Sequence, residues 1–417
     1  MRALLVTTGS HGDIHPFIAI ARALQAAGDQ ATIATNPYFR AQIEREGIAF
    51  QPIGEHIDLT RIGELYPDVM HPRRGIRTVM DVLIGGFAVE CLQTLRPMLE
   101  RGRFDLVAHH HIAMGAAWAA DQARVPRASV VLSPMCWMAQ DDPICPVAEY
   151  PVRPGPFARW LLRTMQPAVL WWTVERSVAR TRRRLGLPKV PRDYTQITRG
   201  GLRNLGMWST HFRGPCADDP ATGRICGFPW HDRIGAPTAL DPALERFLEA
   251  GEPPLLFCLG TAAVHVAGDF YEEAARACAA MKRRGIFLVG AGREAPRALP
   301  AGSIALPYAP FGAVMPRCAA TVHHGGIGST AQALRAGRPM LVIPHAHDQF
   351  DNAARAVRLG VARSLPRGKV NARTIARELE ALLADAAAAK RAATLGPSVG
   401  ADDGGEQAAQ ALRTMRA

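Results

Sequence analysis

The stretch Val322-His323-His324-Gly325-Gly326-Ile327-Gly328-Ser329-Thr330 decides how the second half of this chain folds. It follows an apolar segment, Ala319–His323, that is typical of a buried strand, and it leads into a helical pattern over Gly328–Arg335. Glycines in such a turn let backbone N–H groups approach a ligand closely, and the start of a helix adds partial positive charge. The segment therefore predicts a site for a phosphate or diphosphate group.

Two neighbouring segments supply the other parts of such a site. Asp348 and Gln349 follow the predicted strand Met340–Ile343, which ends at the same sheet edge as the glycine-rich turn. An acid beside an amide suits sugar hydroxyls, which both donate and accept hydrogen bonds. Upstream, Tyr308 and Ala309 stand at a strand end, where an aromatic ring could stack on a nucleobase. These segments are what a nucleotide joined to a sugar requires.

The chain outside this region repeats the alternation of strand and helix. Met1–Thr8 is an apolar strand that ends in a glycine-rich turn, Pro16–Ala27 has helical spacing, and Gln30–Thr35 is a second strand. The pattern restarts at Pro254–Leu259 after a segment rich in proline and glycine. We expect an α/β protein of two doubly wound, Rossmann-like domains that face each other across a cleft. The predicted units are an acceptor-binding domain 1–213, a linker 214–232, a nucleotide-sugar-binding domain 233–400, and a C-terminal helix 401–417 that packs back on the first domain.

Composition excludes several other classes of protein. Hydrophobic residues make up 48% of the 417 residues and charged residues 21%, which is not the composition of a disordered chain. The net charge is +12, but the arginines are dispersed and are not interleaved with stacking aromatics, so we do not expect nucleic-acid binding. The sequence has no apolar run of about 18 residues, so no membrane span is predicted. The N-terminus does not resemble a secretory signal. Eight scattered cysteines without a C-x-x-C pair indicate reduced thiols in a cytoplasmic protein.

The order of these motifs resembles the donor-binding signature of family 1 glycosyltransferases, which are two-domain, inverting, metal-independent enzymes of the GT-B fold. The segment Gly9–Phe17 resembles the N-terminal motif of their bacterial and sterol-modifying branch. A closer resemblance, over 268–271 and 347–352, is to rhamnosyltransferases of rhamnolipid biosynthesis. It implies transfer of a hexose, L-rhamnose from dTDP-rhamnose, onto a hydroxyl of an apolar, lipid-like acceptor.

The resemblance assigns a role to each matching position of the second half. An aromatic at Tyr308, followed by Ala309, would stack on the base; a histidine at His323 would contact the diphosphate; Asp348 and Gln349 would bind the donor sugar. The remaining phosphate-binding positions form two small turns, at Gly260 and Thr261 and at Gly325, Gly326, Ile327, Gly328 and Ser329. No cofactor is implied, because the nucleotide sugar is a substrate and the chain lacks an Asp-x-Asp motif that would hold a metal.

The same resemblance places the catalytic base in the first motif. Asp13 stands where plant members carry a histidine, and the bacterial branch has an aspartate there, as here. A positioned carboxylate can remove the proton of the acceptor hydroxyl. Asp13 could instead cap the first helix, and His11 and His15 flank it as alternative bases or as acceptor contacts.

Two positions depart from the plant pattern. Ala331 stands where plant members bind the ribose hydroxyls through a glutamate, which favours a dTDP donor over a UDP donor. The plant catalytic histidine is oriented by a distant aspartate, and the sequence offers no clear counterpart here.

Further histidines and one apolar stretch leave alternatives open. Adjacent side chains do not share one face of a strand, so His109-His110-His111 predicts a loop at the cleft edge, with one ring lining the acceptor pocket, and not a metal site. His345 and His347 favour packing near the sugar site over zinc. The stretch from Trp160 to Trp172 is either an ordinary packed helix or an element that touches an acceptor or a membrane, which would make the protein peripheral at the inner face of the membrane.

Several competing functions use the same fold. A UDP-glucose-dependent glucosyltransferase acting on a sterol or another small hydrophobic acceptor differs only in its substrates. A nucleotide-sugar 2-epimerase and a non-catalytic homologue would bind the same donor. A nicotinamide oxidoreductase is disfavoured, because no G-x-G-x-x-G follows the first strand.

Overall fold

The computed structural model of the chain describes residues 1–58, 61–71, 74–142, 144–145, 155–231 and 240–416. Its strands are β1 Arg2–Val6, β2 Gln30–Thr35, β3 Ala49–Pro52, β4 Leu106–His110, β5 Arg127–Val131, β6 Arg203–Gly206, β7 Gly223–Ile225, β8 Leu255–Cys258, β9 Gly285–Leu288, β10 Ile304–Leu306, β11 Ala320–His323, β12 Met340–Val342 and β13 Ala362–Ser364.

The helices alternate with these strands along most of the chain. They are α1 His11–Ala26, α2 Arg40–Arg45, α3 Ile62–Leu65, α4 Gly75–Val82, α5 Ala88–Glu100, α6 Met114–Ala123, α7 Pro156–Leu170, α8 Arg176–Arg184, α9 Asp193–Arg199, α10 Pro242–Glu249, α11 Gly260–Ala263, α12 Phe270–Ala280, α13 Phe311–Val314, α14 Ile327–Arg335, α15 Gln349–Arg358, α16 Ala372–Ala384, α17 Ala386–Gly400 and α18 Gly404–Arg413. Two π-helical turns, Leu83–Phe87 and Trp171–Glu175, join consecutive helices.

The strands form two separate parallel sheets. The first has the order β3-β2-β1-β4-β5-β6-β7 and the second the order β10-β9-β8-β11-β12-β13. Central strands such as β4 and β8 are buried along their whole length, because helices cover both faces of each sheet. The predicted fold class of two doubly wound α/β domains is confirmed. Ligands of such sheets bind beyond the carboxyl ends of the strands, where β1, β4, β11 and β12 end.

Two local predictions were wrong. Helix α1 begins at His11, five positions before the predicted Pro16, because Ser10 caps it. Residues 223–225, expected in the linker, form the edge strand β7 of the first sheet; such a short edge strand tolerates glycine. The structure describes the predicted linker as far as residue 231. The last linker residue, 232, and the predicted start of the second domain, 233–239, lie outside the described residues.

The histidine run is also placed differently from the prediction. His109 and His110 complete the buried strand β4, and His111 follows it, so the predicted loop begins one or two residues later. Burial lowers the pKa of His109 to about 3, so this ring is neutral.

Apolar contacts join the two domains and the tail. Helix α18 packs on α1, and Ala408 and Leu412 are buried in the same cluster as Phe17 and Ile20. Met70, from the first domain, is buried in the core of the second. Among the described residues, no helix has the length and apolarity needed to cross a membrane.

Candidate functional site

Asp13 lies in the first turn of α1, at the carboxyl end of β1. Ser10 caps this helix, and one carboxylate oxygen of Asp13, Oδ2, accepts hydrogen bonds from the Ser10 backbone N–H at 2.7 Å and from the Ser10 hydroxyl at 3.0 Å. Gly9 has φ of +123°, and a Cβ there would lie 2.4 Å from Asp13 Oδ2. Only glycine therefore allows the carboxylate to fold back against its own turn.

The second carboxylate oxygen faces His110. Asp13 Oδ1 lies 3.5 Å from His110 Nε2. His110 Nδ1 accepts the Ile112 backbone N–H at 3.4 Å, so a neutral ring carries its proton on Nε2, toward Asp13. Burial alone would raise the pKa of Asp13, but His110 and the two Ser10 donors hold that pKa below its ordinary value. Asp13 is therefore ionised at neutral pH.

His110 is the side chain that pairs with the proposed base, Asp13. The sequence had offered no clear candidate for a residue that orients the base. The signal for it was present: β4 pairs with β1, and Val6 aligns with His109, so the end of β4 lies beside the turn that leads to Asp13. The sequence missed it because the histidine run was predicted to form a loop.

The other two histidines of the first motif have different neighbours. The His11 ring packs edge-on against Phe39, and its Nδ1 lies 3.1 Å from Gln42 Oε1. The His15 ring packs against His231, with ring centroids 5.0 Å apart. Asp13 is thus the member of this motif whose side chain pairs with His110, which makes it the best-placed base of the three.

His323, at the end of β11, presents a buried hydrogen-bond donor. Its Nδ1 accepts the Gly325 backbone N–H at 3.1 Å, and burial lowers its pKa to about 4. The neutral ring therefore carries its proton on Nε2, and this atom has no hydrogen-bond partner among the residues that the structure describes. A buried N–H without a partner costs free energy, and an anionic ligand would satisfy it.

The neighbouring His324 explains two of the glycines of the predicted phosphate turns in a way that the sequence did not suggest. A Cβ at Gly260, which has φ of +65°, would lie 2.5 Å from the His324 ring, and a Cβ at Gly326 would lie 2.4 Å from it. These two glycines make room for the ring. Thr261 follows Gly260 in α11, and its side chain lies outside the described part of the structure.

The first turn of α14 has no side-chain cap among the described residues. Its N-cap, Gly326, has no side chain to bond the first backbone N–H groups, and the turn contains no acidic residue. The first N–H groups of a helix have no partner within it. Around Gly328 there is open space for a Cβ, and Ser329 is buried. Ile327, Gly328 and Ser329 therefore begin the helix as a phosphate cradle would.

Asp348 and Gln349 stand at the start of α15. Asp348 Oδ2 accepts a hydrogen bond from Asn352 Nδ2 at 2.8 Å, and burial, together with the charges of Asp13 and Asp351, raises the Asp348 pKa to about 6. Asp13 and Asp348, from different domains, are therefore close enough for the charge of one to affect the other. Their pKa values are displaced in opposite directions, which is typical of paired carboxylates with different tasks.

Gln349 has a narrower role than predicted. Its Oε1 accepts the backbone N–H groups of His345 and Ala346, at 2.8 and 3.1 Å. This side-chain oxygen holds the loop that presents Asp348, so the amide N–H₂ is the part of Gln349 that remains for a sugar. His345 Nδ1 lies 2.7 Å from the Ile343 carbonyl oxygen, in agreement with a packing role.

At the outer end of the site, Tyr308 is 45% exposed and Ala309 is buried. The Tyr308 ring, just after β10, is accessible, and base stacking on it stays a prediction. Among the described residues, no group of three His, Cys, Asp or Glu side chains could hold a metal ion.

An ionic cluster ties the two walls of the cleft together. Asp142, in the loop after β5, pairs with Arg355 and Arg358 of α15, and also with Arg213 of its own domain. Asp351, next in this cluster, accepts the Cys145 backbone N–H at 3.0 Å. Helix α15, whose first residue Gln349 was predicted to bind the sugar, is therefore held by both domains.

Comparisons with known proteins agree with this geometry. Residues 3–93 match the glycosyltransferase family 28 N-terminal domain, and residues 286–415 match the erythromycin biosynthesis protein CIII-like C-terminal domain. O-mycaminosyltylonolide 6-deoxyallosyltransferase of Streptomyces fradiae is 32% identical over 98% of this chain and 96% of its own length. A sterol 3-β-glucosyltransferase of Arabidopsis thaliana is 24% identical over 84% of this chain, which spans only 57% of that protein.

Solved structures show the same fold. The glycosyltransferase of kitacinnamycin superposes with a TM-score of 0.74 at 24% identity, covering 99% of this chain and 98% of its own. The glycosyltransferase VinC, in complex with dTDP, superposes with a TM-score of 0.66 at 18% identity over the full length of both chains. An epimerase, an oxidoreductase or a non-catalytic protein does not fit these matches. The chain belongs to the nucleotide-sugar-dependent glycosyltransferases of the GT-B fold, in the group with an erythromycin CIII-like C-terminal domain.

Proposed function

We propose that the protein transfers a 6-deoxyhexose, with L-rhamnose as the first candidate, from a dTDP-linked donor onto a hydroxyl of an apolar acceptor. The reaction inverts the anomeric carbon and needs no metal ion. The observation that carries this proposal is the Asp13–His110 pair, which faces Asp348 and the open start of α14 across one cleft.

Asp13 is the general base. Its low pKa keeps the carboxylate ionised, and Ser10 and His110 fix its orientation. As the acceptor oxygen bonds to the anomeric carbon, the bond from that carbon to the diphosphate oxygen breaks, and the hydroxyl proton passes to Asp13.

The leaving dTDP is stabilised from the second domain. The partnerless Nε2–H of His323 and the uncapped first turn of α14 both favour the negative charge that develops on the diphosphate. Asp348 and the amide of Gln349 hold the sugar hydroxyls. In this scheme the protein supplies the electrostatic stabilisation that a metal ion supplies in other transferases.

Donor choice is supported by Ala331. This residue is buried in α14, and its methyl group offers no acceptor for a ribose 2′-hydroxyl. A 6-deoxyhexose agrees with the name of the Streptomyces fradiae relative, and a dTDP donor agrees with the ligand of VinC. The sterol glucosyltransferase relatives make UDP-glucose with a sterol the second candidate.

The first experiment is calorimetric titration of the metal-free protein with dTDP and, in parallel, with UDP. We expect dTDP to bind more tightly. Turnover of dTDP-rhamnose with a hydroxyalkanoyl lipid, in the presence and absence of EDTA, would then test sugar, acceptor and metal. Preference for UDP, with turnover of UDP-glucose on a sterol, would replace the first candidate by the second, and binding of neither nucleotide would contradict the donor site.

A further inference from the structure

Helix α7 is almost entirely outside the core. None of its residues whose side chains the structure describes is buried. Its large apolar side chains recur every three or four positions, a spacing that places them on one face of the helix. These side chains, continued into the following π-helical turn, are Phe157, Trp160, Leu161, Met165, Val169 and Trp172, with Phe157 73%, Trp160 58% and Trp172 66% exposed.

The orientation of α7 is the reverse of an ordinary surface helix. Its polar side faces the protein: Arg163 donates to the Gln140 carbonyl oxygen at 2.7 Å and pairs with Asp141 at 2.8 Å. Gln166 donates to the Met138 carbonyl oxygen at 3.2 Å. A surface helix normally turns its apolar stripe to the core. The polar anchors of α7 hold that stripe toward the outside.

The segment that contains α7 and α8 carries almost one sign of charge, whereas the neighbouring exposed acids Asp141 and Asp81 bond Arg163 and Ser177. Residues 155–192 contain nine lysines and arginines and a single acid, Glu175. Glu175 is buried, where it accepts the backbone N–H groups of Tyr194 and Thr195. The exposed arginines of this segment are Arg159, Arg163, Arg176, Arg180, Arg183 and Arg184. The guanidinium carbon of Arg176 lies 5.1 Å from the centroid of the Trp172 ring.

We propose that α7 and the exposed side of α8 form a docking face for a lipid bilayer that contains anionic lipid. Tryptophan and arginine suit the boundary between headgroups and acyl chains, where a ring is half buried and a guanidinium meets phosphate. A second copy of this chain is the poorer occupant, because a symmetric contact would bring two sets of arginines together without exposed acids in the segment to pair with them.

This face lies beside the cleft. The loop that anchors α7 through Met138 and Gln140 also contains Cys136. Burial raises the pKa of the Cys136 thiol, and the charges of Asp348, Asp351 and Asp13 raise it further, so Cys136 lies near both carboxylates of the site. One loop therefore joins the docking face to the neighbourhood of the site. Lipid binding itself does not depend on the proposed function.

The test is flotation of the full-length protein with vesicles of neutral phosphatidylcholine and with vesicles containing about one third phosphatidylglycerol. We expect binding to the anionic vesicles and a loss of binding as salt rises. Trp160→Ser/Trp172→Ser should lower the partition coefficient at least about 10-fold. Arg180→Ala/Arg183→Ala/Arg184→Ala should lower it roughly 100-fold at low salt.

Leu202→Ser/Leu299→Ser, which removes two exposed leucines elsewhere, is the matched control and should bind as the parent does. All variants should bind dTDP with unchanged affinity, which shows that they are folded and separates this test from that of the donor site. Equal binding of the parent to both vesicles, or unchanged binding of the tryptophan variant, would overturn the proposal. The proposal would also be overturned if the parent did not bind vesicles but self-associated, or captured an acidic protein, through contacts that the tryptophan changes abolish.

Discussion

Two turns of this molecule have the same local architecture and opposite electrostatics. In each domain a buried strand, β1 or β11, runs through a glycine-containing turn into a helix that starts at the cleft. Helix α1 caps itself, because Ser10 and Asp13 bond each other's backbone groups. Helix α14 begins at Gly326, and no side chain from the described part of the chain caps it.

The difference shows how one supersecondary unit can serve two purposes. In the first domain an acid satisfies the helix start, and the same acid remains a fixed negative group beside His110. In the second domain the helix start remains unsatisfied and retains its attraction for an anion. Whether a strand–turn–helix unit becomes a base or an anion site depends on one side chain in its first turn.

The largest effect is expected when the acid in the first turn of α1 is neutralised. Asp13→Asn keeps a side-chain oxygen for the cap but cannot accept a proton, so turnover should fall by about 10²–10⁴-fold. Steady-state kinetics measures this loss, and calorimetry should find dTDP affinity within about twofold of the parent. Full activity in this variant would remove Asp13 from the role of base.

A smaller effect is expected from the donor beside the second turn. His323→Asn places an amide oxygen near the position of Nδ1, so the bond from the Gly325 N–H is kept while the Nε2–H is lost. Losing one hydrogen bond to a charged group should weaken dTDP binding by roughly 10–100-fold. His109→Asn, at a buried position of β4, is the control for loss of a buried imidazole. Unaltered dTDP affinity in His323→Asn would count against a phosphate contact.

An acid placed in the first turn of α14 should make its electrostatics resemble those of α1. Gly328→Asp puts a carboxylate into the first turn of α14, where a Cβ has open space. The new charge should stabilise the helix and oppose the diphosphate, so dTDP affinity should fall by about 10-fold. Gly328→Asn has nearly the same shape without the charge and should bind dTDP much better than the aspartate variant. Equal affinities of the two variants would mean that the helix start does not contact the anion.

The last effect is on stability and concerns the carboxylate of Asp348. The pKa of Asp348 is raised to about 6, so its ionised form is destabilised in the folded protein, and the cost appears as pH rises from about 4 to above 6. Asp348→Asn removes this cost and should stabilise the fold by about 3 kcal/mol at pH 7.5 and by nothing near pH 3.5. Urea unfolding at both pH values measures the difference. A gain that is the same at both would mean that ionisation of Asp348 is not its source.

Much of this architecture follows from short-range patterns in the sequence. β2 spans the predicted residues, and the strand–turn–helix unit around His323 is where the glycines indicated it, because buried strands and helix starts have strong local signatures. The start of α1 was missed because Pro16 has the usual features of a first helical residue, whereas the cap is Ser10.

The parts that escaped prediction depend on contacts between distant segments. His110 meets Asp13 only because β4 lies beside β1, a pairing across about a hundred residues. The ring of His324 fills the space left by Gly260 and Gly326, and the oxygen of Gln349 is taken by a loop that precedes it. The sequence predicted ligand contacts for Gly260, Gly326 and Gln349. The structure shows that the two glycines also make room for a ring and that Gln349 also holds a loop.

The return of α18 to the first domain means that two neighbouring chain segments connect the two domains. The chain passes to the second domain after β7 and comes back at the end of α17, and the two crossings are fastened together: Asp402 accepts the Phe228 N–H, and its carbonyl oxygen accepts the Trp230 indole N–H at 2.7 Å. Two adjacent connections permit rotation about the line that joins them and resist twisting. Opening for substrate entry and closing for transfer would then follow a single path, and each closure would return Asp13, carried on the helix that α18 supports, to the same place opposite the donor.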